Sequence, residues 1–199
     1  FGPAPVIKGG ADLVIGDAGD FDRMDSLSYG AMIKTDGSPS GAVIARMDPK
    51  NAHRGWDLWL QDGHAGAHVI HQWPDNATKI VSKRKLSPGQ WHHVMVVFDG
   101  SKPAAECLAL YVNGQPEPFN IEKNTLTGSP RTPVPLRIGR RDPGAGADDS
   151  IRGGQVAVQD VRILRRVLTP AEIASFAGDT MRIAWQTSPP DQHAAPRAD

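Results

Sequence analysis

Five of the seven histidines, His64, His68, His71, His92 and His93, fall in two neighbouring strand-like runs, a grouping that invites a metal reading. Zinc needs three or four converging ligands, and alternation along a strand works against convergence here. It sends His68 to one face with Ile70, and His71 to the other with Val69 and Trp73. His92 and His93 must point to opposite faces, one half-buried beside Trp91 and the other solvated. No H-E-x-x-H helix occurs, so the histidines read as structural. A second group has better chemistry for a ligand. Trp73 with Asp75 and Asn76, together with Arg46, Asp48, Asn51, Arg54 and Trp59, combines stacking rings with hydrogen-bonding groups. Sugars are held this way, an aromatic face meeting C–H groups while amide, carboxylate and guanidinium groups address hydroxyls. The plain alternative is packing: Trp56, Leu58 and Leu60 share one strand face and read as core, leaving Trp59 opposite, and Arg46 can pair with Asp48.

Composition narrows the classes. The 199 residues hold 22 Lys+Arg and 22 Asp+Glu, a balance that makes no electrostatic case for nucleic acid or an anionic membrane surface. The single Cys107 excludes an internal disulfide and reads as a buried, inert thiol. No apolar run reaches the length of a membrane-spanning helix. Phe1 is not an initiator Met and no signal-peptide pattern follows it, so the expectation is a processed product or a piece of something longer.

The elements that must position these residues are short alternating runs between turn pairs. Strand character is read at 27–34, 41–47, 55–60, 65–73, 78–82, 91–98, 108–112, 136–139 and 155–164. Asp36-Gly37, Asp62-Gly63, Asp99-Gly100 and Asn113-Gly114 punctuate them. That spacing predicts an all-β antiparallel sandwich of jelly-roll type. One short helix is expected over 170–177, with Thr169 as cap, Pro170 first, Glu172 closing a capping box and Gly178 ending it. Residues 1–10 read as a linker, 11–178 as the domain, and 179–199 as a linker or disordered tail.

The wording WHHVMVVFDG (91–100) followed by LYVNG (110–114) resembles the central hairpin of laminin-G-like, concanavalin-A-like jelly rolls. SLSYGAMIKTDG (26–37), LRIGR (136–140) and DVRILRRVLTPAEI (160–173) are similar to three further segments of that family, in order. Residues 41–76 are also similar to jelly rolls inserted in large planctomycete multidomain proteins that carry a c-type cytochrome module. The resemblance implies a non-catalytic module of an exported protein, recognising carbohydrate or flanking domains of its parent. A structural spacer that binds nothing is the alternative, and a glycan hydrolase comes last. Jelly-roll glucanases pair two glutamates on one strand, whereas Glu106, Glu117, Glu122 and Glu172 have no acid at i+2 within a strand.

Jelly rolls of this family often hold a structural calcium ion near the sheet edge, which turns attention to the acidic loop of Asp17, Asp20, Asp22 and Asp25. Calcium takes six to eight oxygens, so Asp20, Asp22 and Asp25 are candidate ligands, with Asp148 and Asp149 as partners from the far end of the chain. A solvated acidic loop is the competing reading. The basic patches Lys79-Lys83-Arg84-Lys85 and Arg137-Arg140-Arg141 could suit anionic glycans such as sulfated polysaccharides, but each is short and offset by nearby acids, and such runs read as solvated turns.

Overall fold

A computed structural model describes residues 4–8, 10–104, 106–144 and 150–187, the side chains of 180–187 excepted. Twelve strands and one helix follow one another. The first six strands are β1 (Val6–Ile7), β2 (Leu13–Gly16), β3 (Ser26–Asp48), β4 (Arg54–Gln61), β5 (His64–Gln72) and β6 (Asn76–Lys85). Then come β7 (Trp91–Asp99), β8 (Leu108–Val112), β9 (Gln115–Pro116), β10 (Phe119–Asn124), β11 (Leu136–Ile138), β12 (Arg152–Leu164) and α1 (Pro170–Thr187).

All pairings are antiparallel and build two layers. One runs β1-β12-β3-β7-β8-β9 and the other β10-β6-β5-β4-β3-β11-β2. The strand β3 belongs to both: Ser26–Lys34 pair with β7, and Gly41–Asp48 pair with β4. The expected turn at Asp36-Gly37 is not a reversal. Thr35, Asp36, Gly37 and Ser40 stay paired to β12 across a register shift, and the chain passes from one layer to the other through Gly37 (φ 78°) and Gly41 (φ 139°). Conformations at positive φ cost a glycine little, so the strand bends here without breaking.

Inward residues of both layers make one core. Tyr29, Ala31 and Ile33 of β3 and Val94, Val96 and Phe98 of β7 meet Trp56, Leu58 and Leu60 of β4 and Ala65, Ala67 and Val69 of β5. Tyr29 lies 4.4 Å from Trp56, ring to ring. Cys107 is buried in this core, and burial raises its thiol pKa, in keeping with an inert cysteine.

The outer face of the first layer is covered by α1 and the residue run before it, where Ile173 of the helix and Leu168 ahead of it pack on Met95 and Val97. The helix opens with the expected capping box: the Thr169 amide donates to Glu172 Oε2 at 2.8 Å, and the Glu172 amide to Thr169 Oγ1 at 3.3 Å. It does not stop at Gly178 but runs on to Thr187. Glycine only weakens a helix interior. The stretch read as a linker also differs, since Val6 and Ile7 pair with Ala157 and Val156. Both central histidines are buried, correcting the expected solvated one: His92 is 8% and His93 1% exposed. One face of β7 lies in the core through Val94, Val96 and Phe98, and the other packs under Leu168 and α1 through Met95 and Val97.

Candidate functional site

The site begins at a tight turn. Asp62 (φ 51°) and Gly63 (φ 81°) both adopt positive φ, the geometry of a two-residue hairpin whose twist matches its strands. The turn sets the register of β4 on β5: Gln61 opposite His64, Trp59 opposite Gly66, Asp57 opposite His68. Alternation then divides β4. Trp56, Leu58 and Leu60 enter the core, while Asp57, Trp59 and Gln61 look out from the opposite face.

Asp57 is fully buried on that face, and its carboxylate has three kinds of donor. Oδ1 accepts from the His68 backbone amide at 3.1 Å and lies 2.8 Å from His68 Nδ1. Oδ2 accepts from Arg141 Nε at 2.8 Å and lies 2.7 Å from its Nη2. From beneath, the Tyr29 hydroxyl donates to the Asp57 carbonyl at 3.1 Å. Arg141 comes from the segment after β11, held in place where the Asp142 amide donates to the Met47 carbonyl at 3.0 Å.

Burial pushes the Asp57 pKa up, but His68 and Arg141 outweigh it and bring the group down to about 2. Burial lowers the His68 pKa, against the pull of Asp57. The consistent charge state is an ionised Asp57 paired with Arg141 and a neutral His68. An ionised carboxylate only accepts, so the imidazole proton sits on Nδ1 and leaves Nε2 as an acceptor.

Two indoles flank this imidazole edge-on. Trp59 lies 5.7 Å from the His68 ring at 84°, and Trp73 lies 5.9 Å away at 78°. Arg141 stacks over Trp59 at 4.5 Å, and Lys123 stands over Trp73 at 5.8 Å. Trp59, Trp73, His68 and Arg141, together with Gln61 and Lys79, line a hollow of about 390 Å³. Lys79 Nζ donates to Gln61 Oε1 at 2.8 Å and pairs with Glu122 at 2.7 Å. The hollow thus offers aromatic faces beside a fixed acceptor, an amide and ammonium and guanidinium donors. That set suits a polyhydroxylated ligand.

Of the residues expected to bind ligand, Trp59 and Trp73 come together here. Trp73 reaches this face because the register of β5 on β6 shifts between Ile70 and Gln72, and it packs beside Met47, Ile70 and Ala77. The others have different places. Asp75 is exposed in the turn after Trp73. Asn76 accepts from the amides of Thr127 and Gly128 at 2.8 and 3.0 Å, fastening that loop. Arg46 lies opposite Trp56, on the side of the sheet away from Trp59. It pairs with Asp17 at 2.6 Å and donates to the Thr132 carbonyl at 3.0 Å, so it does not bridge to Asp48. Asp48 accepts from the Lys50 amide at 3.0 Å within its own turn, and the Asn51 carbonyl accepts from the Arg54 amide at 3.0 Å. Arg54 Nε donates to the His71 carbonyl at 3.1 Å.

The acidic loop packs over the end of the core near Trp56 and faces arginines. Asp20 lies 3.6 Å from Arg131 and 4.0 Å from Arg46, Asp22 3.8 Å from Arg131, and Asp25 3.6 Å from Arg165. Asp25 also accepts from the Asp22 amide at 2.8 Å. Asp148 and Asp149 lie outside the described residues, among which no three His, Cys, Asp or Glu converge as a metal site would require.

Residues 8–174 match the family described as the concanavalin A-like lectin/glucanases superfamily. The chain belongs to that superfamily. No curated protein sequence matches it. Solved structures share the fold at low identity. The receptor binding domain of botulinum neurotoxin D superposes with a TM-score of 0.62 at 12% identity, covering 88% of this chain and 43% of that one. The binding domain of Paraclostridial Mosquitocidal Protein 1 gives 0.60 at 13%, covering 85% and 41%. A heptameric SAP-like pentraxin from Limulus polyphemus gives 0.51 at 18%, covering 83% and 80%. This chain therefore spans about two-fifths of the length of these two binding domains.

Within this concanavalin A-like domain, three of the four glutamates have structural partners. Glu117 is gripped by Arg84, Glu122 by Lys79 and Glu172 by Arg166 and the helix cap. Sequence reading singled out neither Asp57 nor Gln61, and it treated His68, Lys79 and Arg141 as framework or solvated charge. A signal for Asp57 and His68 was present. The Asp62-Gly63 pair implies a hairpin whose register sets Asp57 against His68, on the face that Trp59 occupies.

Proposed function

We propose that this domain is a non-catalytic binding module of an exported bacterial multidomain protein, and that it holds carbohydrate on the outer face of β4 and β5. The observation that carries the reading is the pair of indoles, Trp59 and Trp73, set edge-on to one imidazole whose tautomer Asp57 fixes. A sugar ring seated there meets aromatic surface, while its hydroxyls reach His68 Nε2, Gln61 and Lys79. An Asp–His pair also suggests base catalysis, but no side-chain hydroxyl or thiol among the described residues is hydrogen-bonded to His68 as a nucleophile. Ser40, the one hydroxyl among the described residues lining the hollow, bonds Asp62 at 3.2 Å instead of His68. Toxin binding domains among the structural neighbours support a binding role in general terms.

A structural spacer is the second reading, and one observation favours it. Leu13, Val14 and Ile15 of β2 are 43%, 59% and 52% exposed in a row, a surface that a flanking domain of the parent protein can cover. Glycan-array binding that vanishes in Trp59→Ala and Trp73→Ala, with the fold retained by circular dichroism, supports the carbohydrate reading. Absence of any glycan signal, together with a tight complex with the flanking domains, favours the spacer.

A further inference from the structure

The hollow between the indoles does not end at Gln61. On the far side of that side chain a second hollow of about 410 Å³ opens on the same sheet face, walled by His64, Val81, Lys83, Lys85, Asn120 and Glu122. Gln61 borders both, and it donates through Nε2 to Glu122 Oε1 at 3.2 Å. Between Trp59 and Val81 the register places Gly66, which raises no side chain to divide the two. The combined trough crosses β4, β5, β6 and β10. At about 4.8 Å between neighbouring strands that is about 14 Å of sheet, longer than a single sugar ring.

Its charge is uneven. Asp57 offsets Arg141 and Glu122 offsets Lys79. Arg152 at the first hollow and Lys83 and Lys85 at the second are exposed and form no ion pair among the described residues. Against these three cations stands Asp62, which accepts from Ser40. The first hollow is aromatic, whereas the second has an amide, an imidazole and ammonium groups but no indole.

We infer that the ligand is an acidic oligosaccharide laid across the strands, one unit stacked between Trp59 and Trp73 and a following, negatively charged unit held by Lys83 and Lys85. The inference rests on the carbohydrate reading above and adds length and charge to it. Carboxylate and sulfate ester share the required chemistry, so both belong in the test. An acidic peptide meets the cations but has no ring to place between the indoles.

The experiment is calorimetric titration of the full chain with galacturonic acid and its oligomers, with sulfated and unsubstituted galactan oligomers of matching lengths, and with hexaglutamate. The acidic oligomers bind about tenfold more tightly than neutral ones of equal length at low salt, and the advantage shrinks as salt screens the exposed cations. Affinity rises from monomer to oligomer. Lys83→Ala/Lys85→Ala abolishes the gain with length and charge and leaves the melting temperature unchanged; Arg152→Ala lowers the affinity for acidic sugars alone. Whether uronate or sulfate binds better identifies the acid. Equal affinity for acidic and neutral oligomers, no dependence on length, or hexaglutamate binding as tightly as the uronate hexamer overturns the inference. Neutral-sugar binding that Trp59→Ala removes, without preference for charge, overturns this inference alone; no sugar binding at all overturns the carbohydrate reading with it.

Discussion

Asp57 and His68 face each other across β4 and β5, with Oδ1 2.8 Å from Nδ1 and the two residues 0% and 4% exposed. The pair is closed by Arg141, which reaches the same carboxylate from a segment 84 residues further along the chain. Removing the acid takes a fully buried carboxylate away from the Arg141 guanidinium and leaves an imidazole N–H without its acceptor. Asp57→Ala should therefore destabilise the domain by about 3–5 kcal/mol, read from urea unfolding. A loss below about 1 kcal/mol would show that the network adds little to the fold.

Acid should weaken the domain in two windows. His93 is buried, both its ring nitrogens lack hydrogen-bond partners, and burial followed by the nearby Arg162 brings its pKa to about 4. The folded value lies below the ordinary 6.5, so the unfolded chain takes the proton first as pH falls. Stability is complete above about pH 6.5 and declines toward pH 4, by about 3 kcal/mol for this group. His68, lowered mainly by burial, adds in the same direction. Asp57 acts lower down: its value of about 2 lies below the ordinary 3.8, so its contribution is present above about pH 4 and lost toward pH 2. Melting temperatures across this range test the scheme. His93→Leu should reduce the slope between pH 6.5 and 4 without harming stability at pH 7.5, since the imidazole makes no hydrogen bond that leucine forfeits.

Chelation should not loosen the acidic loop. Asp20, Asp22 and Asp25 already face Arg46, Arg131 and Arg165, so their charge is offset within the protein. Thermal melts in EGTA and in millimolar calcium should coincide. A calcium-dependent rise of several degrees would mean that further oxygens, Asp148 and Asp149 foremost, complete an ion site.

Gly19 carries the acidic loop over the core. Its φ is 72°, its carbonyl accepts from Trp56 Nε1 at 2.8 Å, and a Cβ here would stand 2.5 Å from Trp56 Cζ2. Gly19→Ala should cost about 1–3 kcal/mol and displace the indole, visible as a change in tryptophan emission. An unchanged spectrum and stability would show that the loop shifts freely.

The architecture was legible because turn pairs and alternation are local signals. Asp62-Gly63 marked a real hairpin, and Trp56, Leu58 and Leu60 entered the core as their period required. Asp36-Gly37 misled because a turn pair shows only that positive φ is tolerated. Whether the chain reverses there depends on the partner strand, and β12 pairs with it on both sides of the glycine, across a register shift. At the site, Trp59 and Trp73 were found by residue type. Arg46 was grouped with them by residue type alone, yet pairing opposite Trp56 turns it to the other side of the sheet. Arg141 was beyond reach, since no local pattern announces a partner that arrives across the fold.

The strand β3 carries one further consequence. A single run from Ser26 to Asp48 is hydrogen-bonded into both layers, so the sandwich has no plane along which its halves can part. Tension or local melting in one layer passes into the other along the backbone itself. The surface that carries the hollow and the helix-covered surface are therefore joined through one backbone, so opening of one layer is felt in the other.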